Sequence, residues 1–256
     1  MRLYPLFSSS KGNSYYLGSK TAGVLIDAGG SARRITSALA SNGIPAAAVR
    51  AIFITHEHSD HMKALAVLLK RVNVPVFATP GTVKMLERNL SGAVLRSFSE
   101  RIYIDDISGE VTIIKTSHDS AEPCGYRFDF EGASVSFLTD SGVITDDFGK
   151  AISSETIVLE SNYDPFSLAH GDYPPYLKAR ITGRFGHLAN EVSAKFAREL
   201  IKGGAKNILL AHLSENNNTP ELAREAFLAG TSEFTEGKDY FLKILSPVND
   251  NWFCGL

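Results

Sequence analysis

The chain has 256 residues, of which 44% are hydrophobic and 21% charged, and its formal net charge at pH 7 is −2. This composition is close to the average of globular proteins and excludes a fibrous or an intrinsically disordered chain. The small net charge also excludes a global basic field that attracts nucleic acid. A polyanion would therefore have to bind through a local patch or through bound metal ions.

Short strands and helices alternate along the chain, with no internal repeat and no linker rich in Pro, Gly or Ser. We therefore predict one domain over residues 1–256. Apolar runs predict buried strands at residues 24–26, 51–54, 111–114, 135–138, 157–159 and 208–210. Helices are predicted over residues 62–72, from Asn190 to Gly203, and from Thr219 onwards. This pattern fits two sheets with outer helices as well as a single doubly wound sheet.

The sequence contains no signal for export or for membrane insertion. No apolar run is long enough to cross a bilayer, and the N-terminal residues lack the apolar core and cleavage site of a signal peptide. The two cysteines, Cys124 and Cys254, do not form a Cys-x-x-Cys pair. We therefore expect a cytoplasmic protein without membrane contact, in which sulfur does not bind the metal.

Three imidazoles and a carboxylate occur within six positions, directly after the strand predicted at 51–54: His56, His58, Asp60 and His61. The carboxyl end of a buried strand is a favoured place for a functional site. Imidazole and carboxylate ligands suit zinc, manganese or iron. Such a loop can send alternate residues to one ion and the residues beyond the turn to a second ion, about 3.5–4 Å away. The cluster therefore predicts two divalent metal ions, and a solvated turn is the alternative.

The segment His-x-His-x-Asp-His at residues 56–61 resembles the signature of the metallo-β-lactamase superfamily. Further motifs follow in that family's order: Asp27 in Leu-Ile-Asp-Ala-Gly, His118, Asp140 in Leu-Thr-Asp-Ser, and His212 in Leu-Ala-His. The resemblance implies an α/β fold, the αββα four-layer sandwich. It also implies that one metal binds His56, His58 and His118, that the second binds Asp60, His61 and His212, and that Asp140 bridges them.

Asp27 is predicted to lie behind the ligands, because a ligating histidine needs a hydrogen-bond partner for its other ring nitrogen. The alternative is a plain turn residue before Gly29. His118, Asp140 and His212 each follow an apolar run. Any one of them alone could be a cap or a turn residue, so the prediction depends on their joint order.

Longer stretches are similar to the YycJ/WalJ-like branch of this superfamily, whose members are related to a DNA exonuclease. These stretches are residues 8–14, 160–164, 171–174, 177–181, 186–190 and 213–217. The branch implies hydrolysis of a phosphodiester by a metal-bridging hydroxide. Both metals would neutralise the developing charge, while Asp60 and Asp140 orient the water.

Polar residues outside the ligand set are candidates for substrate binding. Residues 8–14 are predicted to form a hydroxyl-rich turn that approaches a phosphate, or a plain surface turn. Arg180, Arg184 and His187 are four and three positions apart and would share a helix face, but Gly183 and Gly186 favour an ordinary helix end between them. The predicted substrate-binding residues are Ser9, Lys11, Asn13, Asn162, Arg180 and His187.

His187 is also a candidate for binding the scissile phosphate or protonating the leaving oxygen, since imidazole titrates near neutral pH. The predicted catalytic residues are thus Asp60, Asp140 and His187, whereas His170 is predicted to be a surface residue. The leading hypothesis is a dinuclear, metal-dependent DNA exonuclease. A small-molecule phosphodiesterase, acting on cyclic or nucleotide phosphates, and a non-catalytic metal-binding module are the alternatives.

Overall fold

A computed structural model describes residues 1–130, 132–249 and 253–256. The strands of this part of the chain form two seven-stranded sheets. In chain order they are β1 (Arg2–Ser9), β2 (Gly12–Gly18), β3 (Gly23–Ile26), β4 (Val49–Phe53), β5 (Val76–Ala78), β6 (Leu95–Ser97), β7 (Arg101–Ile104), β8 (Gly109–Lys115), β9 (Cys124–Phe130), β10 (Ala133–Leu138), β11 (Thr156–Glu160), β12 (Asn207–Ala211), β13 (Phe241–Ile244) and β14 (Cys254–Gly255).

The two sheets have similar internal organisation. The first has the order β14-β1-β2-β3-β4-β5-β6, and β3 to β6 run parallel. The second has the order β13-β12-β11-β10-β9-β8-β7, and β10 to β13 run parallel. The remaining pairs in both sheets are antiparallel. Each sheet therefore has one edge at which several parallel strands end together.

The α-helices lie between these strands in the chain. They are α1 (Ala32–Ser41), α2 (Ser59–Met62), α3 (Leu65–Val72), α4 (Pro80–Leu86), α5 (Pro165–His170), α6 (Pro175–Thr182), α7 (Asn190–Lys202) and α8 (Pro220–Gly230). Four of them begin with proline, which suits the first turn because its missing N–H would have no helical partner there. None of the helices that the structure describes is long and apolar enough to span a membrane.

Three of the apolar cores among the described residues define four layers. The central core lies between the sheets, where Phe53 of the first sheet makes an edge-to-face contact with Phe128 of the second at 5.2 Å between ring centroids. On one side, α1, α3 and α4 cover the first sheet, and on the other side α7 and α8 cover the second. This arrangement is the predicted αββα sandwich, and it excludes the single doubly wound sheet.

The predicted elements agree with this fold, apart from one helix. All six predicted strands are present, as β3, β4, β8, β10, β11 and β12. The helix predicted over residues 62–72 is divided into α2 and α3. The break occurs because the backbone of Ala28 accepts a hydrogen bond from Ala64 N at 2.8 Å and donates one to His61 O at 2.6 Å. These bonds fix the segment with the candidate ligands against the loop after β3.

The starts of the last two helices agree with the sequence signals to within one residue. Asn190 is the first residue of α7 rather than its cap, and the C-cap is Gly203. Thr219 caps α8, its hydroxyl accepting a hydrogen bond from Leu222 N.

Candidate metal centre

The candidate ligands meet where the strands of both sheets end. Residues 56–61 follow β4, His118 follows β8, Asp140 follows β10 and His212 follows β12. Since β8 and β10 are both antiparallel to β9, they end at the same side of the second sheet. Asp140 and His212 have φ angles of 57° and 56°, in the left-handed region. This conformation is strained for residues other than glycine, and such strain is concentrated at functional sites.

The seven candidate ligands form two groups that share one carboxylate. The ligating atoms of His56, His58 and His118 lie within 4.8 Å of one another, and so do those of Asp60, His61 and His212. Asp140 lies between the groups. Its Oδ2 is 3.2 Å from His61 Nε2, and its Oδ1 is 3.9 Å from His118 Nε2. The fold thus brings together the seven residues that the family resemblance implied as ligands.

Each histidine of these groups has a ring nitrogen held by an oxygen outside the ligand set. His61 Nδ1 is 2.7 Å from Asp27 Oδ2, and His212 Nδ1 is 3.1 Å from Glu160 Oε1. The remaining pairs are His56 Nδ1 with Thr55 Oγ1 at 3.0 Å, His58 Nε2 with Asp119 O at 3.2 Å, and His118 Nδ1 with Gly186 O at 3.0 Å. Such bonds fix the tautomer and the ring orientation of metal-binding histidines. A metal would therefore bind the second ring nitrogen of each histidine. Those of His58 and His118 lie 3.3 Å from each other, and those of His56 and His212 have no hydrogen-bond partner among the described residues.

Three buried polar atoms in the centre support the fit to a metal. His56 Nε2, His212 Nε2 and Asp140 Oδ2 make no hydrogen bond to any described residue. Asp140 Oδ2 is close to His61 but lacks hydrogen-bond geometry. A buried polar atom without a partner costs about 1–3 kcal/mol. Divalent cations would satisfy all three atoms, so the residues present fit a metal centre.

The carboxylates of the centre need positive charge beside them. Burial opposes the charged form of His61 and His212, but the carboxylates around them outweigh burial, raising the pKa of His61 and raising that of His212 to about 10. Burial would raise the pKa of Asp60, yet these two imidazoles hold that pKa well below its usual range. By contrast, burial and the neighbouring histidines lower the pKa of His56. A divalent cation can replace the protons of His61 and His212 as the balancing charge.

Asp27 has the position predicted for a residue behind the ligands. It is buried, and its carboxylate accepts hydrogen bonds from the backbone N–H and the hydroxyl of Thr55, in addition to its contact with His61. Its φ of 60° places it, like Asp140 and His212, in the left-handed region at a strand end. Asp27 is therefore not a plain turn residue.

Glu160 is a central residue that the sequence interpretation missed. It is fully buried at the end of β11, and its Oε1 lies 2.7 Å from His187 Nδ1 as well as close to His212. Its Oε2 accepts the backbone N–H groups of Ser141 and Leu188. Burial alone would raise its pKa, but His187 and His212 hold the pKa well below its usual range. The available signal was a charged residue ending an apolar strand, as Asp27 does.

The residues predicted to bind substrate at the start of the chain lie in the β1–β2 hairpin. Ser9 and Asn13 are buried in strands, so only Ser10 and Lys11 form the turn. Asn13 Nδ2 donates to Ser9 O at 2.9 Å and lies 3.1 Å from His61 Nε2. Lys11 is exposed and forms an ion pair with Glu215. The hairpin thus packs against the second ligand group rather than forming the predicted hydroxyl-rich turn.

Two further candidates also have protein partners. Asn162 is buried, and its side chain donates to the backbone oxygen of His212 at 2.7 Å. The guanidinium of Arg180 binds the carboxylate of Asp119 through Nε at 2.7 Å and Nη2 at 3.1 Å. Asn162 therefore supports a candidate ligand, and Arg180 is held by a carboxylate next to His118.

The predicted helix end near Gly183 is confirmed. Helix α6 ends at Thr182 with Gly183 as its C-cap, so Arg180, Arg184 and His187 do not share a helix face. His187 nevertheless reaches the centre, where its ring centroid is 5.0 Å from that of His118 and 5.3 Å from that of His212. His170 is exposed, as predicted.

Comparison with known proteins agrees with this geometry. A family model described as the beta-lactamase superfamily domain matches residues 23–213. The chain belongs to the metallo-β-lactamase superfamily, and the predicted metal-dependent hydrolase is confirmed at this level. Within the family it is similar to the exodeoxyribonuclease YycJ of Bacillus anthracis, with 35% identity over 224 residues, 86% of this chain and 84% of that protein.

A second relative and a solved structure extend the comparison. The exodeoxyribonuclease WalJ of Streptococcus pneumoniae serotype 2 (strain D39) is 34% identical over 226 residues, 85% of this chain and 83% of that protein. The crystal structure of the metallo-β-lactamase fold protein YhfI from Bacillus subtilis matches with a TM-score of 0.75 and 15% identity, covering 99% of this chain and 98% of the other. The match to WalJ supports the predicted YycJ/WalJ-like branch, and the match to YhfI shows the shared fold.

Proposed function

We propose that this protein is a metal-dependent exonuclease that hydrolyses phosphodiester bonds of DNA with two divalent ions. The observation that carries the proposal is the two groups of candidate ligands with Asp140 between them, and the contact of the buried Glu160 with the partly buried His187 directly beside them. The similarity to two proteins named exodeoxyribonucleases supports DNA as the substrate. A single domain and a cytoplasmic location remain predictions.

In this proposal the two metal sites follow the two ligand groups. His56, His58 and His118 would hold one ion, Asp60, His61 and His212 would hold the other, and Asp140, which lies between the two groups, would be a ligand in the same centre. Zinc, manganese and iron suit these nitrogen and oxygen ligands. When bound, the ions supply Lewis acidity and neutralise negative charge on the phosphodiester.

His187 is the proposed proton donor to the leaving oxygen. Its Nδ1 is held by Glu160, so Nε2 is the ring atom available to the substrate. Its side chain is 13% exposed, enough for contact with a bound phosphate at the surface of the centre. Because the Glu160 carboxylate is kept charged, it accepts the hydrogen bond of His187 Nδ1 and fixes the orientation of the ring. Asp60 and Asp140 are proposed to accept hydrogen bonds from the attacking water and so to orient it.

Hydrolysis of end-labelled single-stranded and duplex DNA, beside the small diester bis-p-nitrophenyl phosphate, tests the proposal. Wild type, His58→Ala and His187→Ala would be compared in manganese or zinc. His170→Ala is a matched control, since His170 is a histidine outside the centre. We expect progressive release of mononucleotides by wild type and the control, and loss of this release in His58→Ala and His187→Ala.

The alternatives give other results. Cleavage of the small diester without cleavage of DNA would replace the exonuclease by a small-molecule phosphodiesterase. Metal binding without cleavage of either substrate would indicate a non-catalytic metal-binding module.

A further inference from the structure

The turn between α6 and α7 presents two side chains to solvent at the rim of the metal centre. Arg184 and Phe185 are both exposed, and 58% of Phe185 is accessible. In the described part of the chain, the guanidinium of Arg184 has no hydrogen bond or ion pair, and the ring of Phe185 contacts no other aromatic ring. His187, the proposed proton donor, follows two residues after Phe185.

The backbone of this turn is fixed to the elements that carry the ligands. Ser117 Oγ donates to Arg184 O at 3.0 Å, and His118 Nδ1 lies 3.0 Å from Gly186 O. A Cβ on Gly142, two residues after Asp140, would lie 2.3 Å from Arg184 O. Only glycine allows this approach. The backbone is thus held on both sides, while the two exposed side chains make no hydrogen bond, ion pair or aromatic contact with the residues that the structure describes.

An exposed cation next to an exposed aromatic ring fits a nucleotide. A guanidinium pairs with phosphate through planar, bidentate hydrogen bonds. An aromatic ring stacks on any base, since every base has a π face, and so binds single strands without selecting sequence. A phosphate contact from arginine is equally independent of sequence. Both properties suit an enzyme that must accept each nucleotide in turn.

We propose that Arg184 and Phe185 bind the nucleotide next to the bond that is cut. Arg184 pairs with the phosphate of this nucleotide, and Phe185 stacks on its base. The inference rests on the proposed function, because it names the part of the DNA substrate that this turn recognises. The occupant is a single-stranded end, since a base inside a duplex does not expose its face to a ring.

Binding of a phosphorothioate-linked single-stranded oligodeoxynucleotide, which is hydrolysed slowly, tests this inference by fluorescence anisotropy of the metal-loaded protein. Phe185→Ala should raise Kd about 5- to 150-fold, the usual range for loss of one base–aromatic stack, and Phe185→Trp should restore binding. Arg184→Ala should weaken binding to all sequences and reduce the slope of log K against log salt by about one. Tyr103→Ala and Arg88→Ala, which remove an exposed aromatic ring and an exposed cation outside the site, are the matched controls.

An abasic oligonucleotide separates stacking from a structural effect. Abasic sites at the cleaved end should weaken binding to wild type and have little further effect on Phe185→Ala. Thermal unfolding and metal content of each variant check that the centre is intact.

The inference is wrong if wild type binds and degrades DNA while Phe185→Ala behaves like Tyr103→Ala. If wild type hydrolyses the small diester but neither binds nor degrades DNA, the DNA substrate of the proposed function is refuted, and the inference fails with it.

Discussion

Replacing Glu160 by glutamine tests the role of His187 as the proposed proton donor, with little change in the shape of the side chain at position 160. Oε2 accepts two backbone N–H groups, and Oε1 contacts the imidazoles of His187 and His212. The two backbone groups remain donors in the variant, so the amide oxygen must face them. The amide nitrogen must then face the imidazoles, and the carboxylate that accepts the hydrogen bond of His187 Nδ1 is lost.

The expected loss follows from the bond that is removed. A hydrogen bond to a charged group contributes about 1.5–3 kcal/mol, which corresponds to about 10- to 150-fold in rate. We expect kcat/KM for DNA to fall by this factor in Glu160→Gln at saturating metal. The loss should be smaller for bis-p-nitrophenyl phosphate, because p-nitrophenolate is a good leaving group and needs little protonation. Glu225→Gln, an exposed substitution on α8, is the control.

A double mutant decides whether Glu160 acts through His187. Residues that act as one unit have strongly non-additive effects. The variant with both Glu160→Gln and His187→Ala should therefore be about as impaired as His187→Ala alone. Additive losses, or an equal loss on both substrates, would refute this reasoning and would indicate that Glu160 acts through His212 and the metal.

Three further predictions follow from the contacts of the centre. Asp27→Asn should lower metal affinity about 10- to 100-fold, because His61 loses its carboxylate partner. Competition with a chromogenic chelator measures this affinity, and an unchanged value would contradict the role of Asp27. Metal binding should release protons and strengthen as pH rises from 6 towards 9, because the raised pKa of His212, about 10, keeps this ligand protonated until metal displaces the proton. Calorimetry in buffers of different ionisation enthalpy measures this release, and no net release would contradict it. Gly142→Ala should destabilise the fold by about 1–3 kcal/mol in urea unfolding, because its Cβ would overlap backbone oxygens. Gly149→Ala should leave the stability unchanged, because no atom lies within 4 Å of the added carbon. Equal stability of these two variants would contradict the close packing of the turn.

The sign of the Glu160 contribution to stability is also fixed by its pKa. Since the folded pKa lies below the ordinary value of 4.5, the carboxylate stabilises the fold above about pH 4.5, and this stabilisation is lost as pH falls through the folded pKa. Glu160→Gln removes this part of the pH dependence. Comparing urea unfolding of the variant and wild type between pH 3 and 7 gives the difference directly.

The sequence by itself determined the features that depend on local pattern. Buried strands have continuous apolar runs, and a polar residue at the end of such a run is visible without a structure. For this reason the six strands, the candidate ligand segment at residues 56–61, and the further candidates His118, Asp140 and His212 could all be predicted. The order of these motifs along the chain was sufficient for the family and, through it, for the four-layer fold.

The tertiary structure decided which residues distant in the chain lie beside each other. In the sequence, Glu160 is one more carboxylate at the end of a strand. Only the packing of β11 beside β12 brings it to His212 and His187. The sequence gives no partner for the cation of Arg180, and only the fold places Asp119 beside its guanidinium. Arg184 and Phe185 have no periodicity to distinguish them. Their exposure depends on the helix that ends before them and the glycine that packs behind them.

The physical reason is the range of the interactions involved. Strand and helix patterns come from neighbours within a few residues, which a sequence displays directly. Burial, charge pairing and the partner of each ring nitrogen depend on residues that are distant in the chain and adjacent in space. Asp27 and His61 are 34 positions apart, and His118 and Gly186 are 68 apart, so these contacts of the centre exist only once the strands of each sheet have assembled.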